Sequence, residues 1–149
     1  MTDVCKQVWS VNLMSKPKLR TYNTFKSLLE PEKYLTLNCS SKFVQSFARF
    51  RCSSLPLALE KGRHQGIDRQ HRFCTLCKLG DVEDEYHFLL ICPLYNTLRI
   101  VYLPYESFLE PNYYKFQKLV SSSDSNILLN LCKFVHKAIK LRLCIETFQ

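Results

Sequence analysis

The stretch "CTLCKLGDVEDEYHFLLIC", Cys74 to Cys92, puts three cysteines and one histidine within nineteen positions. Written as spacing it is Cys74-x2-Cys77-x9-His87-x4-Cys92. Two cysteines separated by two residues wrap one ion from a tight turn, with backbone amides pointing at the sulfurs, and Gly80 eases the exit. Such a pair alone is a weak signal, but a histidine and a third cysteine nearby make it a strong one. The spacing predicts one zinc held by Cys74, Cys77, His87 and Cys92.

Geometry constrains the second pair. Residues five apart in a straight α-helix differ by about 140° in direction and about 7.5 Å in rise, so His87 and Cys92 cannot both ligate from an unbroken helix. Pro93 supplies the break, because it pushes Cys92 out of the α region. It also suits the first position of the next helix and makes Cys92 the N-cap, where free amides stabilise a thiolate. Glu83 precedes His87 by one helical turn, so it is a candidate to orient the imidazole nitrogen that is not on the metal. Alternatively, Asp81, Glu83, Asp84 and Glu85 only complement the dipole of a helix start.

Outside the cluster the chain reads as helix. Its only glycines, Gly62, Gly66 and Gly80, flank or lie inside it. Ser15 is a candidate cap for a helix with Pro17 in its first turn and Leu19, Tyr22, Phe25 and Leu29 at spacings of three and four. Residues 41 to 52 place Phe43, Phe47 and Phe50 on one face, and Lys42, Arg49 and Arg51 are expected to turn away from it. After Pro93 a short helix through Leu94, Leu98 and Val101 ends before Pro104. A loop follows, then a helix in "NYYKFQKLV" and a long last helix over 125 to 147 through Leu128, Leu131, Val135 and Ile139. The expected fold is all-α, a small helical domain in which one zinc knuckle staples a turn to helix ends. Residues 1–149 are read as a single domain: a helical part over 1–60, basic loop, knuckle and following helix over 61–103, and C-terminal helices over 104–149.

The 149 residues are 46% hydrophobic, enough for one real core. The first ten residues lack the basic and apolar regions of a secretory signal, and no apolar run approaches the roughly twenty residues of a membrane span. The reading is a soluble intracellular protein, nuclear or cytoplasmic, with no membrane association. In a reducing compartment the scattered Cys5, Cys39, Cys52, Cys132 and Cys144 are expected as small buried hydrophobes.

The net charge of +8 is uneven. Residues 42–72 carry Lys42, Arg49, Arg51, Lys61, Arg63, Arg69 and Arg72 against Glu60 and Asp68, and residues 81–110 carry Arg99 against six acids. Such a gradient orients a polyanion, though a solvated surface explains it almost as well. The candidate nucleic-acid contacts are Arg49, Arg51, Lys61, Arg63, Arg69 and Arg72, with Phe73, Tyr86 or Tyr95 as stacking partners for unpaired bases.

The stretch "RFCTLCKLGDVEDEYHFLLICPLYNTLR" resembles the zinc-binding domain that follows the polymerase in non-LTR retrotransposon reverse transcriptases. The likeness extends upstream through "KLRTYNTFK" and "ARFRCSSLPLALEKGRHQGIDRQHR", covering roughly residues 9 to 103. It implies the same four ligands, an acidic position at Glu83 and nucleic-acid handling, with other retroelement proteins as further partners; phosphate contacts from the basic flank would make RNA or DNA binding weak and sequence-tolerant. No Tyr-x-Asp-Asp polymerase motif and no proline-aspartate endonuclease signature is present, so the chain looks like a detached or domesticated piece of such an element.

No catalytic residue is predicted. Four protein ligands leave no open position for water, and the zinc deaminase arrangement is absent, since Phe73 precedes Cys74 and no suitable Glu follows His64 or His71. The two function classes that stand are a non-catalytic nucleic-acid-binding module and a structural or protein-interaction zinc domain. An exposed face of Arg63, Arg69 and Arg72 favours the first, and their pairing with the acidic segment favours the second.

Overall fold

A computed structural model describes residues 3–148, and these form helices joined by turns, with no strand among them. The all-α expectation holds. Helix α1 (Asp3–Met14) falls in the part read as helical but was not singled out as a separate element, and it changes the role of Ser15. The Ser15 amide donates to Val11 O at 3.0 Å and its hydroxyl donates to Asn12 O at 2.9 Å, so this residue closes α1 and does not open the next helix. The chain then makes a 3-10 turn, Pro17–Leu19, and a single turn of α2 (Arg20–Asn23). The long helix expected through Leu29 does not form. Thr24 Oγ1 takes the Thr21 carbonyl at 2.7 Å, the local competition by which a hydroxyl ends a helix.

Helix α3 (Ser41–Arg51) buries Phe47 and Phe50 as its spacing predicts. Tyr34 meets Phe47 edge-on at 5.0 Å, and Phe88 lies 6.0 Å from Phe50. Arg51 does not turn away from this seam. It follows Phe47 by four residues, hence lies on the same face, and is buried. Its guanidinium sits 4.4 Å over the Phe25 ring, donates to both Glu32 carboxylate oxygens at 3.0 and 2.9 Å, and reaches Val120 O at 2.6 Å. Aromatic faces, a carboxylate and a carbonyl together offset the cost of burying that charge.

Helix α4 (Ala58–His64) occupies the segment expected as loop and carries Lys61 and Arg63. Gly62, buried at its centre, is where the Arg72 side chain crosses: a Cβ there would lie 2.6 Å from Arg72 Cγ. After the cluster come a 3-10 turn, Pro93–Tyr95, and α5 (Asn96–Tyr102), which stops at extended Leu103 before Pro104. Its buried face is not the expected one. Tyr95 and Arg99 are inside, Leu94 and Leu98 are half-buried, and Val101 faces solvent beside Ile100.

Helix α6 (Tyr105–Phe108) is one turn within the expected loop. Asn112 caps α7 (Tyr113–Val120) through the Lys115 amide, and Asp124 caps α8 (Ser125–Glu146) through the Asn126 and Ile127 amides. Helix α8 packs against α3 and α5, burying Leu128, Leu131, Phe134, Val135 and Ala138, while Lys137 and Lys140 stay in solvent. Residues from α3, the 87–95 segment, α7 and α8 thus share one core. Of the five scattered cysteines only Cys132 is buried; Cys39 is half-buried and Cys5, Cys52 and Cys144 are exposed, because none of these four falls on a core-facing position. No helix among the described residues is long and apolar enough to cross a membrane.

Candidate metal centre

Two pieces of backbone bring the four ligands together. The first is a small hairpin. Phe73 and Val82 form an antiparallel bridge, the Cys74 amide donates to Asp81 O at 2.9 Å, and the Glu83 amide donates to Arg72 O at 2.9 Å. Gly80 turns the chain back with φ of +73°, a left-handed value that costs glycine little. Cys74 and Cys77 therefore sit at the open end of a clamped loop.

The second piece solves the spacing problem with a widened turn ahead of the expected break at Cys92. Residues His87–Ile91 form a π-turn, and the Cys92 amide donates to His87 O at 2.8 Å, five residues back. Widening the turn to i→i+5 bonding brings residues five apart onto one side, which a regular α-helix cannot do. The departure comes at Cys92 itself, with φ −55° and ψ 119° imposed ahead of Pro93. Asp84 starts this segment, its Oδ1 accepting the His87 amide at 2.9 Å.

Ligand atoms of Cys74, Cys77, His87 and Cys92 all lie within 4.8 Å of one another. His87 presents Nε2 to the group, 3.4 Å from Cys77 Sγ. Ligands on a tetrahedral ion at about 2.0–2.3 Å stand roughly 3.5 Å apart, so the set could hold one metal ion. The thiols already behave as a coupled site: Cys92 and burial push the Cys74 thiol up to about 12, while the Cys74 thiol, helped by the Leu94 amide and against burial, holds Cys92 below its ordinary range. A dication in place of the thiol protons would stabilise the thiolates.

Glu83 is buried, but its carboxylate is committed elsewhere than His87. Oε2 accepts the Ala58 amide at 2.6 Å, both oxygens take the Arg142 guanidinium, with Nη2 to Oε2 at 3.0 Å, and Oε1 lies 3.5 Å from Cys74 Sγ. The carboxylate near His87 is that of Asp81, 3.7 Å from Nδ1, a nitrogen that is buried without a hydrogen bond. The one-turn argument assigned Glu83 to His87 by assuming a helix through both. Glu83 precedes the helix, in the hairpin, so the periodicity does not apply to it.

Two arginines to which the sequence reading gave no part in the site complete the surroundings. Arg142 reaches Glu83 from α8 and pairs with Glu146 at 3.0 Å. Against the pull of burial, Glu83 holds it above its ordinary range. Arg99 donates to Leu89 O and Cys92 O, each at 2.7 Å, and to Asn96 Oδ1, with no carboxylate among its partners. Burial pulls it down to about 10, and the charge of Cys92 opposes that. It ties the end of the π-turn and places a positive charge behind Cys92.

The expected nucleic-acid contacts separate into groups. Arg51 is in the core. Arg72 is half-buried, donating to Ile67 O at 2.8 Å and to Leu59 O at 3.0 Å, and so serves the loop before the knuckle. Arg49 is exposed and donates to Ser54 O at 3.2 Å; exposed Lys61 pairs with Glu146 at 2.9 Å. Arg63 lies on Glu60 at 2.8 Å, and Arg69 is 3.9 Å from Asp84 in the acidic segment. Arg63, Arg69 and Arg72 share a cleft of about 220 Å³ with Lys18 and Arg20 from the Pro17–Asn23 segment, and Glu60 is the one carboxylate lining it. The sequence reading missed Lys18 and Arg20 because they are some forty-five residues away, brought in by the turn at Pro17. Of the aromatics, Tyr95 is buried, Tyr86 is half-buried against Tyr113, and Phe73 is exposed.

Compared with known proteins, the chain matches no family model, no curated protein and no solved structure, so the likeness to a retrotransposon zinc domain rests on the quoted residues alone.

Proposed function

We propose that this chain is a non-catalytic, zinc-stapled helical module that binds nucleic acid through phosphate contacts. Zinc suits the donor set: three thiolates and one imidazole in a compact, largely buried group match a closed tetrahedral structural site. The observation that carries nucleic-acid binding is the cleft, where Lys18, Arg20, Arg63, Arg69 and Arg72 meet a single carboxylate, Glu60. Arg63, Lys18 and their hydrogen bonds hold Glu60 down at about 2, so it stays charged, and four cations remain in excess. The retrotransposon likeness supports the same reading. The test is a salt titration of RNA and DNA binding by wild type and by an Arg20→Gln, Arg63→Gln, Arg69→Gln triple variant. Each lost phosphate contact removes about 0.7–0.9 from the log-log slope, so the triple variant is expected to flatten it by about two units with metal content unchanged. An unchanged slope and affinity would refute phosphate binding at this face.

A second reading has its own observation. Val4, Val8, Val11 and Met14 form an exposed apolar stripe along α1, the kind of surface that protein-interaction modules bury against a partner. Salt-independent, negligible nucleic-acid binding together with self-association lost in Val8→Lys would make this the function.

A further inference from the structure

Arg69 of the cation cleft lies 3.9 Å from Asp84, two residues before Tyr86, and Tyr86 stacks on an aromatic ring that no phosphate contact needs. Tyr113 opens α7 and is 47% exposed, although Tyr86 stacks on its ring at 4.9 Å with the planes 29° apart, and Phe116 meets it edge-on at 5.7 Å. The ring is therefore fixed by core neighbours yet offered to solvent. Burial raises its phenol, Asp84 and Glu85 add to this, and Arg69 and Arg20 oppose it, so both guanidinium groups act on this hydroxyl. Arg20 is exposed and its side chain makes no hydrogen bond or ion pair with the described residues. Arg69 is only loosely held by Asp84, at 3.9 Å.

Resting on the nucleic-acid reading, we propose that Tyr113, propped by Tyr86, is a stacking platform for an unpaired base, and that Arg20 and Arg69 take the adjoining phosphates. The site then selects single strands over duplexes. A paired base inside a helix has no free face to offer, whereas every base of a single strand has one, so the preference should be for strandedness and not for sequence. Asp84 at the rim works against a phosphate, but its Oδ1 is held by the His87 amide and its other oxygen faces Arg69, so the anion would meet Arg20 first.

The experiment compares a short oligothymidylate, a duplex of the same length and inorganic phosphate as ligands for the full chain. Wild type is expected to hold the single strand more tightly than the duplex, and phosphate only weakly. Tyr113→Ala is expected to lose about five- to a hundred-fold in single-strand affinity, the range for one stacked base, with duplex binding unchanged. Tyr113→Phe should restore it. Arg20→Gln should weaken both nucleic acids and lower the salt slope by about 0.7–0.9. Because Tyr113→Ala could disturb α7, a Tyr113→Trp variant gives an independent reading: oligothymidylate should quench its added fluorescence and the duplex should not. If Tyr113→Ala and wild type bind the single strand alike, or the duplex quenches equally, the platform is refuted while phosphate binding stands. If wild type binds neither nucleic acid, the broader reading falls with it.

Discussion

Removing the Arg142 guanidinium tests how the C-terminal helix is tied to the metal centre. Arg142 and Glu83 are about 1% and 0% exposed, and Glu83 Oε1 also faces Cys74 Sγ. Arg142→Met keeps the length of the side chain and much of its packing but leaves Glu83 as a buried carboxylate beside a thiolate ligand. Breaking a buried pair from one side costs about 3–5 kcal/mol, a large part of a stability of about 5–15 kcal/mol. At about 2–4 °C per kcal/mol for a domain of this size, the melting temperature should fall by about 6–20 °C. Glu83→Gln in the same chain removes the uncompensated charge and keeps an acceptor for the Ala58 amide, so the double variant should recover half or more of the loss. The assay is thermal and denaturant unfolding of the four proteins of this cycle, each zinc-loaded. A single Arg142→Met variant within about 1 kcal/mol of wild type, with effects that simply add, would refute the argument that this pair fastens α8 to the knuckle.

Cys77→Ser is expected to lose stoichiometric metal by elemental analysis, and chelation should melt the 72–92 segment first by hydrogen exchange, since structural zinc contributes on the order of 10 kcal/mol in small metal-folded peptides. Acidification should release the ion, because protons compete for the same thiolates; retention of full metal at low pH would contradict thiolate ligation. Burial raises the Glu85 carboxyl, whose Oε2 accepts from Thr21 Oγ1 at 2.9 Å, so the folded state binds its proton more readily than the unfolded chain. Its charged form therefore costs stability above the raised value and that cost fades as pH falls toward the ordinary carboxylate range. Glu85→Gln should be neutral or stabilising at neutral pH and lose that advantage in acid, read as the difference in unfolding free energy from wild type at each pH. Gly62→Ala should destabilise despite a better helix former, since its Cβ would meet Arg72 Cγ; in an Arg72→Ala background the same change should stabilise by up to about 1 kcal/mol.

The grouping of Cys74, Cys77, His87 and Cys92 was legible because a coordination-like spacing can be read without knowledge of the rest of the chain. Helix α8 was legible because Leu128, Leu131 and Val135 repeat at helical intervals, whereas its Asp124 cap was not read. What escaped the sequence was charge placed where tertiary contacts compensate it. Arg51 counted as surface by its type, although its register with Phe47 put it inside. Arg99 and Arg142 reside on helix faces that read as apolar, and the carbonyls of Leu89 and Cys92, the Asn96 amide oxygen and the carboxylates of Glu83 and Glu146 make their burial tolerable. Likewise the cleft joins Lys18 and Arg20 to Arg63 and Arg69 across the fold, which no window along the chain can see.

The widened turn between His87 and Cys92 also sets a phase. Removing one residue from Phe88–Ile91 would leave His-x3-Cys, a spacing that an ordinary helix serves, and both ligands could still converge. Everything after Pro93 would then be rotated by about 100° relative to the core, one residue's turn of a helix. Arg99 would swing away from the Leu89 and Cys92 carbonyls, and the path to α8 would no longer bring Arg142 onto Glu83. The additional residue is thus the gear tooth by which the C-terminal half is clocked against the Cys74, Cys77, His87 and Cys92 cluster.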